Sequence, residues 1–119
     1  MTLKEALYPL LMLDGLVTLA VLADDGVPVE VVGYDNSDAF AAELVTVANA
    51  ARRGFASLEL GAASRICISL EDLEAFVVPL ESHALVAVFE EKDSAAAAEM
   101  IDKTKAQLQS ALGAVYELS

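Results

Sequence analysis

Residues 39–60 read AFAAELVTVANAARRGFASLEL, and this stretch decides how the rest of the chain is read. Phe40, Leu44, Val47, Ala48, Ala51, Phe55 and Leu58 recur at spacings of three and four, which places them on one stripe of a helix. That stripe is enough to dock the helix on a sheet. Ala41, Ala42, Val45 and Ala56 form a second patch beside it, interrupted only by Asn49 and Arg52. Small side chains let another backbone come close. One reading is a central helix buried all round. The sharper one is that the second face meets a partner, most simply another copy of the chain.

Working outward from the helix, short apolar runs on both sides supply a sheet. Leu16 to Ala23 is β-branched and nearly all apolar, the pattern of a central strand covered on both faces. Asp25-Gly26 predicts a tight hairpin turn, and Val27 to Val32 is the return strand. Val27, Val29 and Val31 alternate with Pro28 and Glu30, and a proline inside a strand marks an edge. Asp35-Asn36-Ser37-Asp38 offers several N-caps for the long helix. It lacks the glycine and terminal acid of a calcium loop. Gly61 is the expected stop. Residues 65–70, 75–80 and 84–89 then form three further strands joined by short turns.

Helices close both ends. Thr2 and Glu5 make a capping-box pattern ahead of Leu3, Leu7, Leu10 and Leu11. Pro9 makes that first helix either kinked or short, and Asp14-Gly15 ends it. Asp93 or Ser94 caps a last helix running to about Leu112, docked through Ala97, Ile101, Leu108, Leu112 and Val115, with Glu99 and Lys103 paired outside. The sum is an α+β fold in the order α-β-β-α-β-β-β-α, read as one domain over residues 1–119. The most apolar strands, 16–23 and 84–89, belong in the middle of a five-stranded antiparallel sheet of order 2-1-5-4-3. The edges are then the second strand, blunted by Pro28, and the third, whose one protection is Arg65. Arg65, Cys67 and Ser69 on that open strand join Ala41, Ala42, Val45, Asn49, Arg52 and Ala56 of the helix as the expected dimer interface.

Composition points the same way. A chain of 119 residues that is 56% hydrophobic has more apolar surface than so small a unit readily buries, which favours association. The longest charge-free run, Ala106 to Tyr116, falls short of the ~18 residues a membrane span needs. Glu5 and Asp14 spoil the N-terminus as a signal peptide. One cysteine cannot form an internal disulfide, so the expected location is the cytoplasm. A net charge of −12 gives no basic footprint for nucleic acid and disfavours anionic lipid. Glu71, Asp72, Glu74, Glu81, Glu90, Glu91 and Asp93, against Lys92 alone, make an acidic stretch that serves solubility or steers a basic partner.

The chemical inventory argues against an enzyme. His83 is the only histidine and falls in a predicted surface turn. Cys67 lies mid-strand, opposite Ile66 and Ile68, and reads as a packed or interface thiol rather than a nucleophile. One His and one Cys do not make a metal site, and phosphate-binding glycine motifs are absent, so no cofactor is expected. Arg52-Arg53 is the single cationic doublet. It is solvated, pairs with a partner's acids, or supplies an arginine to another protein's phosphate site.

Leu-Asp-Gly-Leu-Val at 13–17, Ala-Asp-Asp-Gly-Val-Pro-Val at 23–29, the alanine-rich helix and the three-strand meander into a final helix resemble the Roadblock/dynein light chain family. The resemblance spans essentially the whole chain. It implies a homodimer in which the long helix packs on its mate and the third strand joins its mate in one continuous sheet. Prokaryotic members of the family bind and regulate small Ras-like GTPases. The partner expected here is therefore such a GTPase, received on the paired helices near Thr46, Asn49 and Arg53. A ligand-sensing domain of profilin- or PAS-like type and an assembly scaffold without a GTPase are the alternatives.

Overall fold

The computed structural model describes residues 2–33, 37–61 and 63–117, with backbone only for Ser37, Asp38 and 114–117. The proposed capping cluster at 35–38 and the side chain of Val115 therefore lie outside the described residues. The elements are α1 (Leu3–Leu11), β1 (Leu16–Ala23), β2 (Pro28–Val32), α2 (Ser37–Ser57), β3 (Ile66–Ser69), β4 (Leu73–Pro79), β5 (His83–Glu90), a 3-10 turn at Glu91–Asp93 and α3 (Ser94–Glu117). The sheet order is β2-β1-β5-β4-β3, antiparallel throughout, as the strand polarity predicts.

The central strands are covered on both faces, which is why β5 reads as an unbroken apolar run. On one face Leu19, Val21, Phe76, Val78, Leu85, Ala87 and Phe89 pack with Leu7 and Leu10 of α1 and with Ile101, Leu108 and Leu112 of α3. On the other face Ala20, Leu22, Ala75, Val77, Ala84, Val86 and Val88 receive α2 alone. Helices on both sides of the sheet set this fold apart from domains that keep one face open.

Local chemistry fixes the ends. Thr2 Oγ1 accepts from the Glu5 amide at 3.2 Å and donates to Glu5 Oε1 at 3.1 Å. The helix that follows runs through Pro9 but is only nine residues long. In the β1–β2 turn, Asp25 Oδ1 accepts from the Val27 amide at 3.0 Å and Gly26 takes φ +88°. The β1–β2 register then slips between Val21 and Leu22, so that Glu30 and Pro28 are matched and Val29 is not. That bulge breaks the alternation expected of Val27, Val29 and Val31, and with Pro28 it closes this edge to further pairing. At the far end of β1, Gly15 takes φ +82°, and a Cβ there would run into the Asp93 carboxylate. The Gly15 carbonyl accepts from the Glu90 amide at 2.8 Å, tying the α1–β1 turn to the end of β5.

Three further expectations change. His83 is not a surface turn residue: it opens β5 at 3% exposure, because β5 starts one residue earlier than the apolar run suggests. The stop of α2 is Glu59, not Gly61. Glu59 sits at φ +56°, the Leu60 amide reaches back to the Phe55 carbonyl and the Glu59 amide to that of Ala56, which together make a Schellman cap. The third change concerns which face of α2 docks.

Candidate interaction surface

Ala41, Leu44, Val45 and Ala48 are the side chains that bury α2 against the sheet. At about 100° per residue their centre lies roughly 60° around the helix from the stripe expected to dock. Phe40, Val47, Phe55 and Leu58 of that expected stripe are instead 41%, 54%, 43% and 68% exposed. Ala41 and Val45, expected on the free face, are at 0% and 4%. The reason is shape. The sheet presents mostly Ala and Val on this side, and small helix side chains between them let α2 settle close. The free apolar face thus consists of the large residues, not the small ones.

Docking also stops halfway. Beyond Ala48 every residue of α2 is exposed or half-exposed, so that about 13 Å of helix overhangs the core. The Schellman turn then adds Leu60, 68% exposed, next to Leu58.

β3 is the open edge. Its burial alternates, with Ile66 and Ile68 half-buried on the α2 side and Cys67 and Ser69 exposed on the other. Arg65, just before it, turns onto its own chain. Its guanidinium sits 5.8 Å from the Phe76 ring centre and 3.4 Å from both Asp102 carboxylate oxygens on α3. Arg65 therefore guards the α3 side of this edge but leaves the outward backbone groups of β3 unobstructed. Ser69 Oγ donates to Glu74 Oε2 at 2.7 Å across to β4.

The remaining expected contacts separate. Ala42 is half-buried beside the sheet cluster. Thr46 is exposed and its hydroxyl returns to the Ala42 carbonyl at 3.1 Å. Asn49, Arg52, Arg53 and Ala56, with Gly61 and Ala63 of the following loop, line an open groove of about 330 Å³. On the wheel, Asn49, Arg53 and Ala56 lie across the helix from Phe40, Val47 and Leu58. The sequence reading placed Asn49 and Arg52 with the self-association patch; the structure brings them to this groove. It missed Phe40, Val47, Phe55 and Leu58 as surface residues, although their mismatch in size with an Ala/Val sheet was a usable signal. At the other end of the sheet, Asp72, Glu90 and Glu91 gather around Leu73 and Lys92.

Among the described residues no three His, Cys, Asp or Glu side chains are grouped to hold a metal ion. Among the same residues no helix is long and apolar enough to cross a membrane.

No protein-family model matches the sequence, and no curated protein matches it. Solved structures do match. The Roadblock/LC7 domain from Streptomyces avermitilis superposes with a TM-score of 0.77 at 18% identity, over 100% of both chains. The gliding protein MglB from Thermus thermophilus gives 0.77 at 17% identity, over 92% of this chain and 87% of that one. MglB from Myxococcus xanthus gives 0.71 at 13% identity, over 94% and 89%. The chain has the Roadblock/LC7 fold.

Proposed function

We propose that this chain acts as a homodimeric, non-catalytic module that binds and regulates a small Ras-like GTPase in the cytoplasm. The observations that carry the first half are the exposed stripe Phe40, Val47, Phe55 and Leu58 and the open edge of β3. Large apolar side chains in one line are costly to leave in water and mark an interaction surface. An unpaired strand edge offers main-chain hydrogen bonds to a neighbouring chain. A second copy satisfies both at once, with two α2 helices side by side and two β3 strands joined.

The second half rests on likeness. The motifs at 13–17 and 23–29 resemble those of GTPase regulators, and the fold is shared with MglB. The flank of α2 that carries exposed Thr46 and Arg53 and half-buried Asn49 supplies the surface for the partner. Titration of the dimer with the cell's small Ras-like GTPases, each in both nucleotide states, tests the reading. Binding to one of them supports it; failure to bind any overturns it. A rise in GTP hydrolysis in the same mixture makes the module an activator, and binding without such a rise makes it a scaffold.

A further inference from the structure

Seven Lys and Arg residues stand against nineteen acids in this chain, and most of the cations are neutralised locally. Lys4 pairs with Glu30, Arg65 with Asp102, Lys92 with Glu90 and Lys103 with Glu99, each within 4.0 Å. Among the described residues Lys105 lacks such a pair on its own, and Arg52 and Arg53 lack one as neighbours. Both arginines are exposed. Arg52 reaches only the neutral Asn49 Oδ1, at 3.4 Å.

Their surroundings are equally specific. The groove they line has walls of Ala56, Gly61 and Ala63, which carry neither charge nor bulk. A guanidinium offers a planar fork of donors that fits a carboxylate with two parallel hydrogen bonds. Two such forks on one groove, with room in front of them and no acid among its lining residues, are suited to two carboxylates from outside.

We infer that this groove seats a pair of acidic side chains on the surface of the partner protein. Under the reading above, that partner is the GTPase. The remainder of the chain sharpens the description. At a net charge of −12 it repels a uniformly acidic protein. The partner that fits has a small acidic patch on a surface otherwise neutral or basic. The Arg52–Arg53 pair then fixes its register, since a shifted partner would set acid against acid.

The test compares wild type, R52E/R53E and R52K/R53K as full chains, with mass followed by light scattering. Titrated with a GTPase that binds wild type, R52E/R53E should bind at least tenfold more weakly at 50 mM salt. R52K/R53K should fall between the two, because it keeps the charge and loses the fork. Equal binding by wild type and R52E/R53E overturns the inference and leaves the GTPase reading intact. Where no GTPase binds wild type, that reading falls, and a ten-residue glutamate peptide tests the groove alone. It should shift the Arg52 and Arg53 side-chain N–H resonances saturably. No shift, or an equal shift with inorganic phosphate, overturns the inference. So does growth in mass of the chain by itself that R52E/R53E abolishes, since the occupant is then another copy.

Discussion

Val45 and Val47 are two residues apart on α2, and substituting each by glutamate should produce opposite failures. Val47 is 54% exposed in the single chain, while Val45 is 4% exposed against the sheet. Glutamate is a good helix former, so Val47→Glu leaves the fold of the chain intact. Its effect falls on association. The summed exposure of Phe40, Val47, Phe55 and Leu58 is about that of two whole side chains, worth about 3–6 kcal/mol per protomer if fully covered. Val47→Glu removes part of this and puts an unpaired carboxylate where water is excluded, a cost of several kcal/mol. In a two-fold assembly the change enters twice. A loss of about 4 kcal/mol or more follows, which weakens the dimer about a thousandfold or more. Light scattering at micromolar concentration should then report one chain mass for Val47→Glu, with circular dichroism unchanged. Val45→Glu should instead lose the folded spectrum, since the buried charge has nowhere to go. A Val47→Glu protein that stays dimeric, or a Val45→Glu protein that is folded and monomeric, would refute the assignment of faces.

Three further outcomes are expected. When two β3 edges join about a two-fold axis normal to the sheet, directly opposed residues point to the same face, so Cys67 meets either its own copy or Ser69 of the partner subunit. Both Cα separations of an antiparallel pair suit a disulfide. Mild oxidation should therefore cross-link the wild type or, in the other register, the Ser69→Cys variant; a dimer in which neither cross-links does not use β3. Gly15→Ala should lower the unfolding free energy by about 2 kcal/mol in a denaturant titration, from positive φ and the crowding of Asp93. Glu59→Gly should do the reverse, by about 1 kcal/mol, because glycine suits the φ of +56° that glutamate strains to hold; an unchanged midpoint would show that this cap carries no strain.

What could be read in the sequence follows from how local each signal is. The strand order came from ranking apolar runs, and the Asp25-Gly26 turn from its own chemistry, because burial and turn geometry act residue by residue. α2 resisted for a different reason. Its two apolar stripes have the same spacing, so periodicity identifies a helix without saying which stripe docks. That choice depends on the relief of the sheet below, which the chain assembles from β1, β4 and β5, far away in sequence. His83 was misplaced by a long-range effect, strand pairing to Ala23, whereas Glu59 was misplaced by a local one, the Schellman hydrogen bonds that stop the helix before the glycine. The arginine groove depends on where Gly61 and Ala63 lie against α2, which no spacing rule supplies.

The two edges of the sheet are unlike. β2 is closed by Pro28 and by the unmatched Val29, whereas β3 is open along its length. In the language of polymerisation, each chain is a monomer of functionality one. Units with two reactive ends grow without limit, and strand edges that do so give fibres. A unit with one reactive end can only couple and terminate. The proline and the bulge at β2 therefore act as a chain stopper: they set the stoichiometry of any edge-to-edge product at two, whatever the concentration.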